Sequence, residues 1–146
     1  MKVLYTAKAT TKGGRDGHAS TSDGKLDVAI APPAELGGSG DGTNPEQLFA
    51  AGYGACFQSA ILVVARRKKL DASECTVDAE VQLGAVEGGV FALAVELRVE
   101  LPGLEPDQAR ALVTKAHEVC PYSNATRGNI PVALFVGGER LEPVAA

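Results

Sequence analysis

A chain of 146 residues with 45% hydrophobic and 22% charged side chains has the length and composition of a single domain, residues 1–146, with its own core. A formal net charge of -4 gives a nucleic-acid partner no electrostatic support. Three cysteines are too few, and odd in number, for a secreted disulfide scaffold, and residues 1–6 hold no apolar signal core. The expectation is a cytosolic protein, in which any disulfide is catalytic or redox-sensing.

Residues 2–10 read as a strand, followed by the turn-rich run Gly13-Gly14-Arg15-Asp16-Gly17. Residues 18–22 and 26–31 read as two further strands joined by the hairpin signal Asp23-Gly24, and Pro32-Pro33 ends the second of them. The glycine-rich loop over 34–43 lacks the Gly-Lys-Ser/Thr of a phosphate loop and reads as a flexible connection. Asn44 is then a favoured N-cap, Pro45 suits the first helical position, and Gln47 completes a capping box, with Thr43 and Glu46 an equally legal box one residue earlier. The helix they open runs to about Lys69. Its residues 48–65 carry no charge and are followed by Arg66, Arg67, Lys68 and Lys69, a length and flank that fit a membrane span. Gly52, Gly54, Gln58 and Ser59 dilute that stretch, so the expectation is a buried helix, wrapped by sheet or by a second subunit, and no membrane. Gly52-Tyr53-Gly54 places two poor helix formers together and predicts a break in the helix.

Val77, Ala79, Val81 and Leu83 alternate with Asp78, Glu80 and Gln82, and Phe91, Leu93, Val95, Leu97, Val99 and Leu101 with Ala92, Ala94, Glu96, Arg98 and Glu100, giving two strands joined at Glu87-Gly88-Gly89. Pro106 opens a second helix whose apolar face carries Ala109, Leu112, Val113, Ala116 and Cys120, and Pro121 stops it. Ile130, Val132, Leu134 and Val136 make a last strand before Gly137-Gly138. Strands bracketing two helices without βαβ regularity define an α+β class.

The cysteines carry the candidate chemistry. Cys56 lies inside the apolar helix and Cys120 on the apolar face of the second, where each could equally be a small buried hydrophobe; Cys75, just before a strand, reads as structural. His117 and Cys120 are three apart, so a metal site with Cys56 is conceivable, but a closed zinc site would lack its fourth ligand. A Cys–His hydrolase using His117 as base lacks a visible oxyanion motif.

Three segments resemble those of a known family. Asn44-Pro45-Glu46-Gln47-Leu48-Phe49-Ala50-Ala51-Gly52-Tyr53-Gly54-Ala55-Cys56-Phe57 is similar to the first cysteine motif of the organic hydroperoxide resistance (Ohr) branch of the OsmC/Ohr family. His117-Glu118-Val119-Cys120-Pro121-Tyr122-Ser123-Asn124-Ala125-Thr126-Arg127-Gly128-Asn129 is similar to its second, and Gly13-Gly14-Arg15-Asp16-Gly17 to its arginine loop. The resemblance implies an intertwined homodimer with sheets wrapped around two central helices. It implies a thiol peroxidase for organic hydroperoxides, active in protection against oxidative stress. In it Cys56 attacks the peroxide and Cys120 forms a disulfide with it, while Arg15, held by Glu46, supplies the activating cation. The reductant implied is the dihydrolipoyl group of a lipoylated protein, with no bound cofactor or metal. An apolar surround of Phe49, Phe57 and Tyr122 would favour alkyl over hydrogen peroxide. Glu46 precedes Cys56 by ten residues, about 15 Å in a straight helix, so one Arg15 reaches both only if the helix breaks or two subunits share the site. The alternative is a binding or sensing module in which the two thiols bridge without turnover.

Overall fold

A computed structural model describes residues 1–142, in two compact units, 1–48 and 49–142. The protein is a mixed α+β fold, with two sheets and three α-helices among the described residues.

In the first unit, β1 (Ala9–Lys12), β2 (Gly17–Thr21) and β3 (Asp27–Ile30) form an antiparallel sheet in that order. The turn between β1 and β2 closes through Asp16 N–H donating to the Gly13 carbonyl at 3.2 Å. Gly13 holds φ 82°, and a Cβ there would stand 2.8 Å from the Asp16 carbonyl oxygen, so only glycine fits. Arg15 is thereby placed at the tip of a turn fixed by its neighbours. The strand expected over 2–10 forms only at 9–12. The hairpin register ends at Ala9 opposite Thr21, and the chain turns at Asp23-Gly24, leaving residues 2–7 without a strand to pair with.

α1 (Pro45–Lys68) starts as the sequence indicates. Asn44 Oδ1 accepts from the Gln47 N–H at 2.9 Å, and Gln47 Oε1 accepts from the Asn44 N–H at 3.2 Å, the reciprocal capping box. It ends in a Schellman turn: Lys69 takes φ 57°, with Leu70 N–H on the Ala65 carbonyl at 3.0 Å and Lys69 N–H on Arg66 at 3.2 Å.

In the second unit, β4 (Thr76–Val86) and β5 (Val90–Glu100) make a long antiparallel hairpin, extended beyond the expected ends because Gly84, Ala85 and Val86 continue the ladder to the Val86–Val90 pair. α2 (Pro106–Val119) and α3 (Pro121–Thr126) carry the chain to β6 (Val132–Val136), which runs parallel to β5, and β7 (Glu139–Arg140) folds back antiparallel on β6. Tyr53, Phe57, Ile61 and Val64 of α1 pack with Val95, Leu97 and Val99 of β5 and with Leu112, Val113 and Ala116 of α2 to form the core. The alternate residues of β5 are buried because strand side chains point to opposite faces in turn.

Four expectations are corrected. α1 is continuous through Gly52-Tyr53-Gly54. A Cβ at position 52 would lie 3.2 Å from the Tyr122 hydroxyl, and one at 54 would lie 3.5 Å from the Ala79 Cβ, so the glycines serve close approach to α3 and β4 and leave the helix axis intact. Pro121 does stop α2, but it also occupies the first position of α3, where its missing N–H and fixed φ suit a helix start. The Gly137-Gly138 pair is a hairpin turn into β7, so the run at 130–136 is not the last strand. β5, α2, α3 and β6 form one parallel crossover, more βαβ order than the sequence indicated, within the expected α+β class.

α1 is long and apolar enough to cross a membrane by length and composition; a third of its apolar window is buried, while Leu62 and Val63 are exposed. Because the space at Gly54 matches one methyl group, Gly54→Ala should keep or raise the thermal midpoint, the helix gaining up to about 1 kcal/mol of propensity. Gly54→Val should lower stability by about 1–3 kcal/mol through overpacking against β4. Thermal unfolding of the two variants beside the parent checks both directions.

Candidate active site

Cys56 sits on α1 in the middle of its core-facing stretch, and Cys120 occupies the single extended residue (φ -66°, ψ 125°) between α2 and α3. Both thiols are free, and Cys120 Sγ approaches Cys56 Sγ at 3.6 Å. The two sulfurs stand in van der Waals contact, beyond the about 2.05 Å of a disulfide bond. Their exposures differ: Cys56 is partly exposed, whereas Cys120 is fully buried. Burial pushes the Cys56 thiol pKa up; the Tyr122 backbone N–H opposes this, and the hydrogen bond with Cys120 adds to it.

Around Cys56, Phe49 and Tyr122 stack with ring centroids 5.9 Å apart at 21°, and Tyr53 meets Phe49 edge-on at 5.9 Å. Tyr122 is half-exposed and Phe49 partly buried. Phe57 points the other way: it is fully buried in the core against Tyr53 and His117, so it lines no accessible surface, contrary to expectation.

In the first unit, Arg15 and Glu46 form a two-pronged ion pair, with Arg15 Nη1 on Glu46 Oε2 at 2.9 Å and Nη2 on Oε1 at 2.6 Å. The Arg15 hydrogen bond holds the Glu46 carboxyl below the ordinary carboxylate range, partly offset by burial. Glu46 sits in the first turn of α1, where the helix dipole also favours a negative charge. The structure brings together Cys56 with Cys120 and Arg15 with Glu46, the two pairs that the family resemblance implied. Since α1 is unbroken, the ten residues from Glu46 to Cys56 span about 15 Å of helix rise.

His117 is partly buried, and its buried Nδ1 has no hydrogen-bond partner among the described residues. Burial lowers its pKa, with Arg127 adding to the shift. Among the described residues no three His, Cys, Asp or Glu side chains are grouped as metal ligands would be. Cys75 is buried at the start of β4, and burial alone pushes its thiol up to about 11.

Sequence reasoning missed the polar contacts beside the thiols. The Tyr53 hydroxyl donates to Ser123 Oγ at 3.0 Å and lies 3.2 Å from Thr126 Oγ1, all three groups being buried. The available signal was the equal spacing: Tyr53 lies three residues before Cys56, and Ser123 three after Cys120.

Two sheets, three helices and a pair of contacting free thiols define a dithiol protein of mixed α+β fold. The OsmC-like protein family model matches residues 38–135. The organic hydroperoxide resistance protein of Xanthomonas axonopodis pv. citri is 56% identical over 135 residues, which are 91% of this chain and 94% of that protein. Among solved structures, the organic hydroperoxide resistance protein from Legionella pneumophila superposes with a TM-score of 0.89 at 53% identity, covering 92% of this chain and 98% of that one. OhrB of Bacillus subtilis superposes with a TM-score of 0.82 at 45% identity, covering 92% and 99%. The chain belongs to the organic hydroperoxide resistance branch of the OsmC-like family.

The three cysteines should separate by reactivity. With a pKa of about 11, only about a thousandth of Cys75 is thiolate at about pH 8, and its burial adds a further barrier. Iodoacetamide on the native reduced protein should label Cys56 first and leave Cys75 unmodified until the chain is unfolded, read by peptide mass mapping. Early labelling of Cys75 would contradict its placement in the core.

Proposed function

We propose that this protein is a thiol peroxidase that reduces organic hydroperoxides to alcohols, with Cys56 as nucleophile and Cys120 as resolving thiol. The observation that carries the reading is the 3.6 Å approach of a partly exposed thiol to a fully buried one. Only the partly exposed sulfur can meet a peroxide arriving from solvent, and only a neighbour already in contact can trap the product before a second peroxide does.

The Cys56 thiolate attacks the terminal peroxide oxygen. The O–O bond breaks, an S–O bond forms, and the alkoxide leaves, taking a proton to become the alcohol. Cys120 then attacks the sulfenic sulfur; the S–S bond forms, the S–O bond breaks, and water departs with the thiol proton. A dithiol reductant restores both thiols by exchange and is itself oxidised to a disulfide. We take that reductant to be the dihydrolipoyl group of a lipoylated protein, in the cytosol, with no bound cofactor and no membrane or nucleic-acid partner.

Burial opposes the thiolate that this chemistry needs, so a cation must favour it. Arg15, oriented by the two-pronged bond to Glu46, has the chemistry for that role. Because α1 is continuous, we assign the pair across a homodimer, Arg15 and Glu46 of one protomer acting on the partner's Cys56. The exposed Leu62 and Val63 on α1, and Val86, Val90 and Phe91 at the β4–β5 turn, support such a homodimer by offering apolar surface to a second copy. Phe49 and Tyr122 favour an alkyl or fatty-acid hydroperoxide over hydrogen peroxide.

The test is steady-state turnover of cumene hydroperoxide with dihydrolipoamide as electron donor. Wild type should turn over, and Cys56→Ser should fall to background. Cys120→Ser should consume one equivalent and then accumulate sulfinic and sulfonic acid at Cys56. Bridging of the thiols without turnover would instead favour a sensing module. Arg15→Ala should slow the peroxide step on the order of a hundredfold and raise the Cys56 pKa, read by thiolate absorbance against pH. An unchanged titration would return Arg15 to the status of a turn residue.

A further inference from the structure

The described part of the second unit buries few polar side chains, and two of them, Ser123 and Thr126, contact one tyrosine. Tyr53 is fully buried within α1, one turn before Cys56 and on the same helical face. Its hydroxyl donates to Ser123 Oγ at 3.0 Å and lies 3.2 Å from Thr126 Oγ1. Thr126 Oγ1 donates in turn to the carbonyls of Tyr122 and Ser123 at 3.0 and 3.1 Å. The network thus ties the helix that bears Cys56 to the short helix that begins beside Cys120.

That tie matters because the backbone at Cys120 is not helical. Its ψ of 125° separates α2 from α3, so helical hydrogen bonding alone does not fix how the two helices meet. On the surface, Arg127 joins them by donating to the His117 carbonyl at 2.8 Å and to Asn124 Oδ1 at 2.6 Å. Neither bond reaches α1. In the interior, the Tyr53 hydroxyl links α3 to α1, beside the Tyr122 N–H that bonds Cys56 and the stacking of Tyr122 on Phe49. A ring of the same shape without the hydroxyl would pack equally well against Phe49 and Phe57, so packing does not account for a tyrosine here. Burial raises the Tyr53 pKa, and the hydroxyl also senses the charges of both Cys120 and Cys56. It is therefore a protonated donor.

We infer that Tyr53, with Ser123 and Thr126, is a positioning residue for disulfide formation: it holds Cys120 in register with Cys56 so that the sulfenic acid is resolved before a second peroxide reaches it. The inference rests on the peroxidase reading above and adds the device that governs its second step. The Cys56 sulfenic acid has two fates. It can lose water to the Cys120 thiol, giving the disulfide. It can also take an oxygen from a second hydroperoxide, giving sulfinic acid and a second alcohol. The ratio of these products depends on how well the thiol is placed and is independent of the rate at which the sulfenic acid forms.

The experiment exposes reduced protein to a tenfold excess of cumene hydroperoxide, about ten equivalents, and quantifies Cys56–Cys120 disulfide against Cys56 sulfinic acid by mass spectrometry. Tyr53→Phe keeps the ring and removes the hydroxyl, and should lower the disulfide-to-sulfinic ratio about tenfold, since small losses of alignment cost that much in intramolecular reactions. Ser123→Ala should lower it in the same direction and carries the test if Tyr53→Phe does not fold. Val113→Ala, a core truncation on α2, should lower the thermal midpoint and leave the ratio as in wild type, separating positioning from general destabilisation. A Tyr53→Phe ratio within about twofold of wild type, or a fall no larger than that in Val113→Ala, would overturn the inference while leaving the peroxidase reading intact. A wild-type protein that consumes no hydroperoxide would overturn that reading and the inference with it.

Discussion

The contact of α3 with α1 is the constraint on which the dithiol depends. Cys56 and Cys120 are 64 residues apart in the chain, yet their sulfurs touch because the short helix that follows Cys120 lies along the face of α1 that bears Cys56. That approach needs a helix surface without bulk. Gly52 provides it beneath Tyr122, where even one methyl group would crowd the phenol. Phe49, Tyr53 and Tyr122 then fill the contact with aromatic surface, and the buried hydroxyls fix its register. Pro121 contributes from the covalent side: it ends α2, starts α3, and leaves Cys120 as the one extended residue between them.

Electrostatics sets the second condition. A sulfur among apolar side chains is driven toward the neutral thiol, and Cys75 marks how far burial goes when nothing opposes it. Cys56 is less deeply placed and receives the Tyr122 N–H, yet burial still dominates its titration. On the peroxidase reading, the guanidinium of Arg15 supplies the missing stabilisation. Glu46 offsets part of that field while aiming it, a compromise for a charge that must be both oriented and available. On the same reading, exposure divides the proposed roles of Cys56 and Cys120: the sulfur that solvent reaches would attack, and the sealed one would resolve.

Much of this was legible in the sequence because local chemistry wrote it there. The Asn44–Gln47 capping box, the period-two alternation of β4 and β5, and the apolar face of α2 each depend on near neighbours and were met in the structure. The cysteine motifs carried the resemblance to the family, which spacing alone could not have done. What escaped was decided by contacts distant in sequence. The glycines of α1 read as helix breakers until Tyr122 and Ala79 are seen against them. Pro121 reads as a stop signal, and its second use as a helix start depends on Ser123 and Thr126 finding Tyr53. The residues before β1 read as a strand, but no described strand pairs with them. Phe57 looked like substrate surface on composition, whereas its position on the helix turns it into the core.

The central claim is that Cys56 and Cys120 form a redox couple driven by an organic hydroperoxide. Its most direct test treats the reduced wild-type protein with one equivalent of cumene hydroperoxide, then combines intact mass with a non-reducing peptide map. The account predicts a product lighter by two hydrogens, with Cys56 linked to Cys120, Cys75 still a thiol, and one equivalent of alcohol released. A link that involves Cys75, or a chain that keeps all three thiols while the hydroperoxide persists, would contradict it.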